Sequence, residues 1–359
     1  MTIIYFILIL GIIVFVHEFG HFLFAKKAGI YVYEFSIGMG PQIFKWKRKN
    51  DETVYAIRLF PIGGFVQMAG EEVEVDENIP KERRMQSKTW LQRFMTVIAG
   101  IMFNFILSIV LLFIIGLISG CPTNKTFVGT VEENSMAYNA GLTAGSTIIK
   151  IDNKKVNNYD KLILEFQVRN GKTIDFEVIT SDGETKTITI TPEKIDNNGK
   201  EAYKYGFSLE TTKEYGFIAA LKYGFRKTFS LIEQMFFIVC YLITGTLSLK
   251  SLSGPIGIFT LVGETAKTGF INLIYLLALI SINVGFINFL PLPAFDGGRI
   301  LFLIIEKIKG SPVNPKVENI IHSIGFVLLM LLMVFICFND ITSIIKRWYS
   351  GTSLKRSVR

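Results

Sequence analysis

Two of the chain's three histidines stand four residues apart, in the segment His17-Glu18-Phe19-Gly20-His21. Residues at i and i+4 of an α-helix share one face, so both imidazoles can reach one metal ion. The pattern H-E-x-x-H on a helix is typical of a zinc site in which the glutamate beside the histidines acts as a general base. The segment therefore predicts that His17 and His21 bind Zn²⁺ and that Glu18 activates water for hydrolysis.

Two histidines leave such a site one ligand short, because a catalytic zinc ion uses three protein ligands and keeps a fourth position open. The candidates are His322 and an acidic residue in another apolar segment. Asp296 is the only acidic residue between Glu264 and Glu306, and prolines and glycines surround it. Backbone broken in this way at membrane depth needs a protein-lined or watery cavity. We therefore expect Asp296 to be the third ligand. A helix N-cap role for it remains compatible with the same sequence, and we interpret His322 as a residue at the start of the last span.

The elements that carry these residues have the composition of membrane helices. Half of the 359 residues are hydrophobic and 19% are charged, whereas a soluble globular chain carries about 25% charge. Charge is absent from residues 1–16, 94–124, 271–295 and 325–338, and runs of about 20 apolar residues match the thickness of a bilayer. This pattern excludes a soluble enzyme, a disordered chain and a secreted disulfide scaffold. It predicts an integral membrane protein.

We expect about four spans, near residues 2–24, 94–118, from 271 onward, and 320–338. The stretch 216–249 is amphipathic, and its apolar run is too short to span, so we interpret it as interfacial. A fifth span there would move everything downstream to the opposite side.

Basic residues in the loops predict the orientation. Residues 26–93 hold 12 Lys/Arg against 9 Asp/Glu, and residues 121–215 hold 12 against 14. The first loop is therefore expected in the cytosol and the larger soluble segment outside it. The basic tail after residue 346 conflicts with this assignment, because four spans would leave it outside.

A β-hairpin is predicted from Ile43 to Leu59, with a polar turn at Asn50-Asp51-Glu52. A strand edge near the zinc ion could hold the unwound backbone of a transmembrane substrate by β-augmentation. A basic hairpin lying on the lipid surface is the alternative.

Several motifs together carry a family resemblance. They are His17–His21, the segment Phe289-Leu290-Pro291-Leu292-Pro293-Ala294-Phe295-Asp296-Gly297-Gly298, Gly254-Pro255-Ile256-Gly257, and the stretches 35–41 and 99–104. The chain resembles the site-2 protease family of intramembrane zinc metalloproteases, in the regulator of sigma-E protease subgroup that carries PDZ domains. The resemblance extends over nearly the whole chain, to about residue 339.

The resemblance implies that His17, His21 and Asp296 are the Zn²⁺ ligands and Glu18 the catalytic base. It also implies that Asn288 contacts the substrate backbone or the developing oxyanion, although a hydrogen bond between helices would explain Asn288 equally well. The implied activity is endoproteolysis of single-span membrane proteins within or near the bilayer, with anti-sigma factors or remnant signal peptides as substrate classes. A membrane-embedded β-loop is a further family feature.

The segments Val128–Val131 and Ala137–Asp152 resemble a PDZ domain, with Ser146 where such domains usually have Asp. We expect it to filter substrates by size, with possible peptide contact. The predicted fold is a membrane α-helical bundle with a membrane-associated β-hairpin and an extracytosolic α+β PDZ domain. The expected divisions are 1–120, the first catalytic membrane half; 121–200, the PDZ domain; 201–265, an interfacial connector; 266–345, the second catalytic half; and 346–359, the basic tail.

Two other functions fit parts of the sequence. A zinc or cation transporter would favour several intramembrane acids along a path, and this chain offers only Glu18 and Asp296 beside the histidines. A noncatalytic PDZ-bearing membrane scaffold would not need a zinc triad. The net charge of +8 favours contact with anionic lipid, so no nucleic-acid partner is expected. The family resemblance implies that this lipid belongs to a bacterial cell membrane.

Overall fold

The computed structural model describes residues 1–71, 78–169, 171–197, 200–249 and 252–357. The chain divides into two compact units, residues 1–111 with 252–342 and residues 112–251 with 343–359. The end of the predicted basic tail, residues 358–359, lies outside the described residues.

Helices form both ends of the chain, and most of the strands lie between residues 121 and 214. The described α-helices are α1 (Thr2–Lys27), α2 (Trp90–Ser119), α3 (Met136–Asn139), α4 (Tyr159–Val168), α5 (Phe217–Ile243), α6 (Pro255–Thr268), α7 (Phe270–Phe289), α8 (Asp296–Lys309) and α9 (Pro315–Ser357). The described strands are β1 (Val32–Lys47), β2 (Val54–Met68), β3 (Cys121–Pro122), β4 (Phe127–Val131), β5 (Thr147–Ile151), β6 (Lys154–Lys155), β7 (Ile174–Ile179), β8 (Thr185–Ile190), β9 (Glu193–Asn197), β10 (Lys200–Lys204), β11 (Phe207–Glu210) and β12 (Lys213–Glu214).

Among the described residues, four helical segments are long and apolar enough to cross a membrane: Thr2–Lys27, Trp90–Ser119, Phe270–Phe289 and Lys316–Thr342. Each overlaps a span expected from the sequence, since an apolar chain in lipid can satisfy its own backbone groups as a helix. The amphipathic α5 is not one of the four. The expectation of a membrane helical bundle with β elements is confirmed at this level.

In the first unit, α1 packs on α6 and α7 through a shared apolar core that includes Ile9, Ile13, Val262, Leu273 and Leu276. The Gly254-Pro255-Ile256-Gly257 motif forms the start of α6. Asp340 of α9 is buried there, and its carboxylate accepts hydrogen bonds from the N–H groups of Gly254 (3.0 Å) and Gly257 (2.8 Å). The motif thus places two helix N-terminal donors against a carboxylate of the last span.

Strands β1 and β2 form an antiparallel pair that is longer than the predicted hairpin, extending from Val32 to Met68. Phe35 of β1 lies opposite both Tyr55 and Val66 of β2. The predicted polar turn is tethered to the end of α1, because Lys26 Nζ donates to Asp51 Oδ1 at 2.8 Å and to Glu52 Oε1 at 2.7 Å. The hairpin's length depends on these pairings between distant residues.

The helix break predicted before Asp296 is present between α7 and α8. Phe295 occupies the N-cap position of α8, no side-chain cap hydrogen bond is made, and Asp296 is the first helical residue. The N-cap role that the sequence leaves open for Asp296 is therefore wrong, because Phe295 occupies that position. His322 lies two turns inside α9 rather than at its start, because that helix already begins at Pro315.

The second unit contains an α+β domain. Strands β11, β4, β5, β7 and β8 form a sheet in that order, with β6 paired to β5. Its core contains Val128, Ile148, Leu162, Phe176 and Ile188. Because β11 pairs with β4, the sheet extends past residue 200, the boundary expected from the sequence.

Helix α5 packs its polar side on α4 of this domain. Asp160 of α4 is buried and accepts hydrogen bonds from Lys227 Nζ at 2.5 Å and from Ser230 Oγ at 2.6 Å. Large apolar side chains of α5, including Phe217 and Phe229, are exposed. α5 is therefore amphipathic, as the sequence predicts.

Candidate metal centre

Helix α1 presents His17 and His21 on one face. Both side chains are buried, and their Nε2 atoms lie 3.3 Å apart. The i and i+4 spacing brings the two nitrogens to a common point. The charge-free residues before His17 make this part of α1 a membrane helix, so the pair lies within a predicted span.

Asp296 completes the cluster from the start of α8. Its Oδ2 lies 3.1 Å from His17 Nε2 and 3.2 Å from His21 Nε2, and it is buried without a hydrogen-bond partner among the described residues. Four ligands at about 2.0–2.1 Å around a tetrahedral zinc ion stand about 3.3–3.4 Å apart. The three ligand atoms therefore have the spacing and the donor types that Zn²⁺ requires, and the site fits the ion.

The second ring nitrogens of both histidines face polar groups of α2. His21 Nδ1 lies 2.8 Å from the carbonyl oxygen of Thr96, which can only accept, so the proton is on Nδ1 and Nε2 is free to bind a metal ion. The amide of Asn104 is buried, with Nδ2 3.2 Å from His17 Nδ1, and its Oδ1 has no hydrogen-bond partner among the described residues. Turning that amide by 180° brings its oxygen to His17 Nδ1, so this ring can also donate from Nδ1 and face the metal position through Nε2.

Two glycines let α1 and α2 approach closely behind the cluster. A Cβ added to Gly20 would lie 2.6 Å from the carbonyl oxygen of Ala99, and one added to Gly100 would lie 2.3 Å from His21 Nε2. Close helix contacts through small residues are common in membranes. Here they bring the second helix within reach of both imidazoles.

Glu18 lies beside the cluster and lines a cavity of about 940 Å³. A Cβ added to Gly64 would lie 3.3 Å from Glu18 Cγ, so the backbone of β2 passes next to this carboxylate. Across the cavity, Arg299 of α8 pairs with Glu71, just after β2. The cavity therefore contains the Glu18 side chain together with the three ligand-bearing residues, and the backbone of β2 passes beside it.

The sequence-predicted residues differ in where they lie. His17, Glu18, His21 and Asp296 all line the cavity. Asn288 is half-buried in the last turn of α7 and is not among the lining residues. His322 lines the cavity without joining the metal cluster.

Sequence reasoning missed the contacts that α2 makes with the two histidines. Asn104 has no role predicted from the sequence beyond its place in the stretch 99–104, whereas the structure places it against His17. The resemblance of residues 99–104 to a family feature was the available signal, because this segment contains both Gly100 and Asn104. Thr96 could not be found, since it acts through its carbonyl group.

Comparison with known proteins gives consistent matches over the chain. The family described as Peptidase family M50 matches residues 5–332. The regulator of sigma-W protease RasP of Bacillus subtilis is 34% identical over 418 aligned positions, which cover 95% of this chain and 98% of that protein. The zinc metalloprotease RasP of Geobacillus kaustophilus is 34% identical, covering 95% and 97%. A putative zinc metalloprotease of Clostridium acetobutylicum is 35% identical, covering 93% and 96%.

Proposed function

Because this chain belongs to peptidase family M50, we propose that His17, His21 and Asp296 are the ligands of its catalytic zinc ion. Family membership confirms the resemblance to site-2 proteases, and the protein is an intramembrane zinc metalloprotease of regulated intramembrane proteolysis. The observation that carries the ligand assignment is the triangle of three buried ligand atoms, 3.1–3.3 Å apart, beside Glu18.

Glu18 is proposed as the general base. Zinc bound at this site supplies a Lewis acid for the scissile carbonyl and acidifies water in its open position. Glu18 accepts a proton from the attacking water and afterwards delivers a proton to the leaving nitrogen. Its position in the cavity, on the same helix as both histidines, supports this role.

Strand β2 is proposed to hold the substrate backbone. A single-span substrate enters as a helix whose amides are already paired, so hydrolysis requires it to unwind into an extended strand. The backbone at Gly64 passes next to Glu18, and Phe65 and Val66 line the cavity. Strand addition there would satisfy the freed backbone groups of the substrate close to the base.

Asn288 is proposed to contact the substrate backbone or the developing oxyanion. The support is the family resemblance of the segment that follows it, from Phe289 to Gly298, together with the position of Asn288 in the last turn of α7, shortly before the turn that leads to Asp296. A hydrogen bond between helices is the alternative role.

We propose that residues 121–200, with β11, form a PDZ domain. A sheet with a short helix (α3) and a longer helix (α4) supports this assignment. The domain would admit substrates with trimmed ectodomains and could contact peptides. The rest of residues 201–265 serves as the connector, within which α5 has the exposed apolar face of an interfacial helix. The two catalytic halves, 1–120 and 266–345, supply the histidines and the aspartate.

For orientation, we propose that the active site opens toward the cytosol and that the PDZ domain is extracytosolic. The excess of basic residues in the first loop supports this arrangement. Anti-sigma factors and remnant signal peptides are the substrate classes we propose, because the family resemblance implies them. The name of the Bacillus subtilis relative, regulator of sigma-W protease, favours the former.

The function is tested with Glu18→Gln in the full chain, purified in detergent. Cleavage of a single-span substrate should fall by about 10²–10⁴-fold, because the base is removed, while zinc content stays unchanged, because all three ligands remain. Glu264→Gln, at an exposed position of α6, is the matched control and should cleave normally. Retained turnover in Glu18→Gln would refute the proposed role.

A further inference from the structure

The turn that leads to Asp296 contains a strained residue. Ala294 has a φ of +76°, a left-handed conformation that costs free energy for any residue with a Cβ. It lies two residues before Asp296, so its conformation sets the direction from which the carboxylate reaches the histidines. Such a conformation persists only where neighbouring groups hold it.

His322 of α9 supplies one such contact. Its Nδ1 accepts a hydrogen bond of 3.0 Å from the backbone N–H of Ala294. Because Nδ1 accepts, the neutral ring carries its proton on Nε2. The ring also lies against the first turn of α8, since a Cβ added to Gly298 would lie 3.2 Å from His322 Cε1.

A second contact from α9 lies one turn further along. A Cβ added to Gly325 would lie 2.1 Å from the Cβ of Pro293, so α9 presses its bare backbone on the residue before Ala294. Along its span α9 is otherwise mostly exposed. The turn before Asp296 is therefore contacted by two residues of α9, His322 and Gly325, that lie about one helical turn apart.

We propose that His322 is a positioning residue that orients Asp296 through the Ala294 N–H. This inference rests on the proposed role of Asp296 as a metal ligand. His322 does not join the three ligand atoms, and its Nε2 makes no hydrogen bond among the described residues, with Glu318 Oε1 4.0 Å away. His322 contributes one hydrogen-bond acceptor, Nδ1, which faces one backbone donor, the N–H of Ala294. Without that acceptor the N–H loses its partner and the turn loses its hold.

Two amide substitutions separate this role from simple packing. Asn places its Oδ1 where the Nδ1 of His322 stands, so His322→Asn keeps the acceptor. Gln carries the same amide one methylene further out, near the position of Nε2, so His322→Gln moves the acceptor away. His322→Leu fills the space with no acceptor.

The test measures cleavage kinetics with a single-span substrate and zinc affinity by chelator competition, using the full chain in detergent. We expect His322→Asn to stay within about threefold of the wild type. His322→Gln and His322→Leu should lose about 10–100-fold in kcat and in zinc affinity, as substitutions behind a metal ligand commonly do, with KM little changed.

Equal behaviour of His322→Asn and His322→Gln in both measurements would overturn the proposal, and this comparison decides even if His322→Leu does not fold. Asp296→Asn distinguishes the two levels of inference. If it keeps full zinc affinity and turnover, the ligand assignment fails. If it loses both while the Asn and Gln variants of His322 match each other, only the positioning role fails.

Discussion

Gly100 is the position at which one added methyl group should damage the metal centre most directly. In Gly100→Ala the new Cβ would lie 2.3 Å from His21 Nε2 and 2.9 Å from His17 Cε1. Ordinary van der Waals contact begins at 3.4 Å, so the nearer imidazole or α2 must move by about 1.1 Å. Both neighbours are ring atoms of the proposed zinc ligands, and rigid rings cannot absorb such a clash by a small torsion.

A displacement of about 1 Å at a reacting centre can cost 10²-fold in rate. We therefore expect Gly100→Ala to lower kcat about 100-fold and to weaken zinc binding. Helix propensity acts in the opposite direction, because Ala favours a helix over Gly by about 1 kcal/mol. Any loss of activity is thus a consequence of the clash and not of a weaker α2.

The assay is turnover of a single-span substrate in detergent, with zinc affinity measured by competition with a chelator. Gly11→Ala is the matched control, because it is also a helix glycine of a membrane span and a Cβ there meets nothing within 4 Å. If Gly100→Ala and Gly11→Ala give equal kcat and equal zinc affinity, the close approach of α2 to the ligands is refuted.

Two further predictions concern the supports of the first unit. Asp340→Ala leaves the N–H groups of Gly254 and Gly257 without their acceptor, at a cost of about 1–3 kcal/mol per buried donor. The thermal unfolding temperature should therefore fall, and that of Asp340→Asn should lie between the values of Asp340→Ala and the wild type. For Asp51, burial raises the pKa, but the hydrogen bonds from Lys26, Thr53 and Tyr55 outweigh it and hold the pKa below its ordinary value of 3.8. The stabilisation from ionised Asp51 is therefore present above pH 3.8 and is lost as the pH falls through the lower pKa that Asp51 has in the folded protein. Asp51→Asn should therefore unfold more easily than the wild type at pH 7 and approach the wild type in acid.

Each of these predictions has a contradicting result. Wild-type thermal stability of Asp340→Ala would mean that the carboxylate does not support the start of α6. A difference between Asp51→Asn and the wild type that is unchanged between neutral and acidic pH would mean that the tether of the turn to α1 does not depend on an ionised Asp51.

The sequence predicts those parts of the molecule that depend on local pattern. Apolar runs indicate the four spans, and the His17–His21 spacing places two ligand atoms at one point because helix geometry is fixed. The prolines before Asp296 break the helix as expected. The extent of the β1–β2 pair could not be predicted, because it depends on contacts between residues that are distant in sequence. Phe35, for example, lies opposite both Tyr55 and Val66.

The supports of the metal centre show why the rest of the site is hard to read from residue types. His21 is oriented by the carbonyl of Thr96, and the turn before Asp296 is held through the N–H of Ala294. Every residue except proline carries both of these groups, so the residue types of Thr96 and Ala294 do not reveal either contact. Such contacts do limit the size of nearby side chains, because a backbone group can approach a metal ligand only where no Cβ lies between them. Backbone support of a ligand is therefore visible in the sequence only through glycines such as Gly100. A glycine that faces a ligand-bearing helix identifies the supporting segment even where the polar residues of that segment do not.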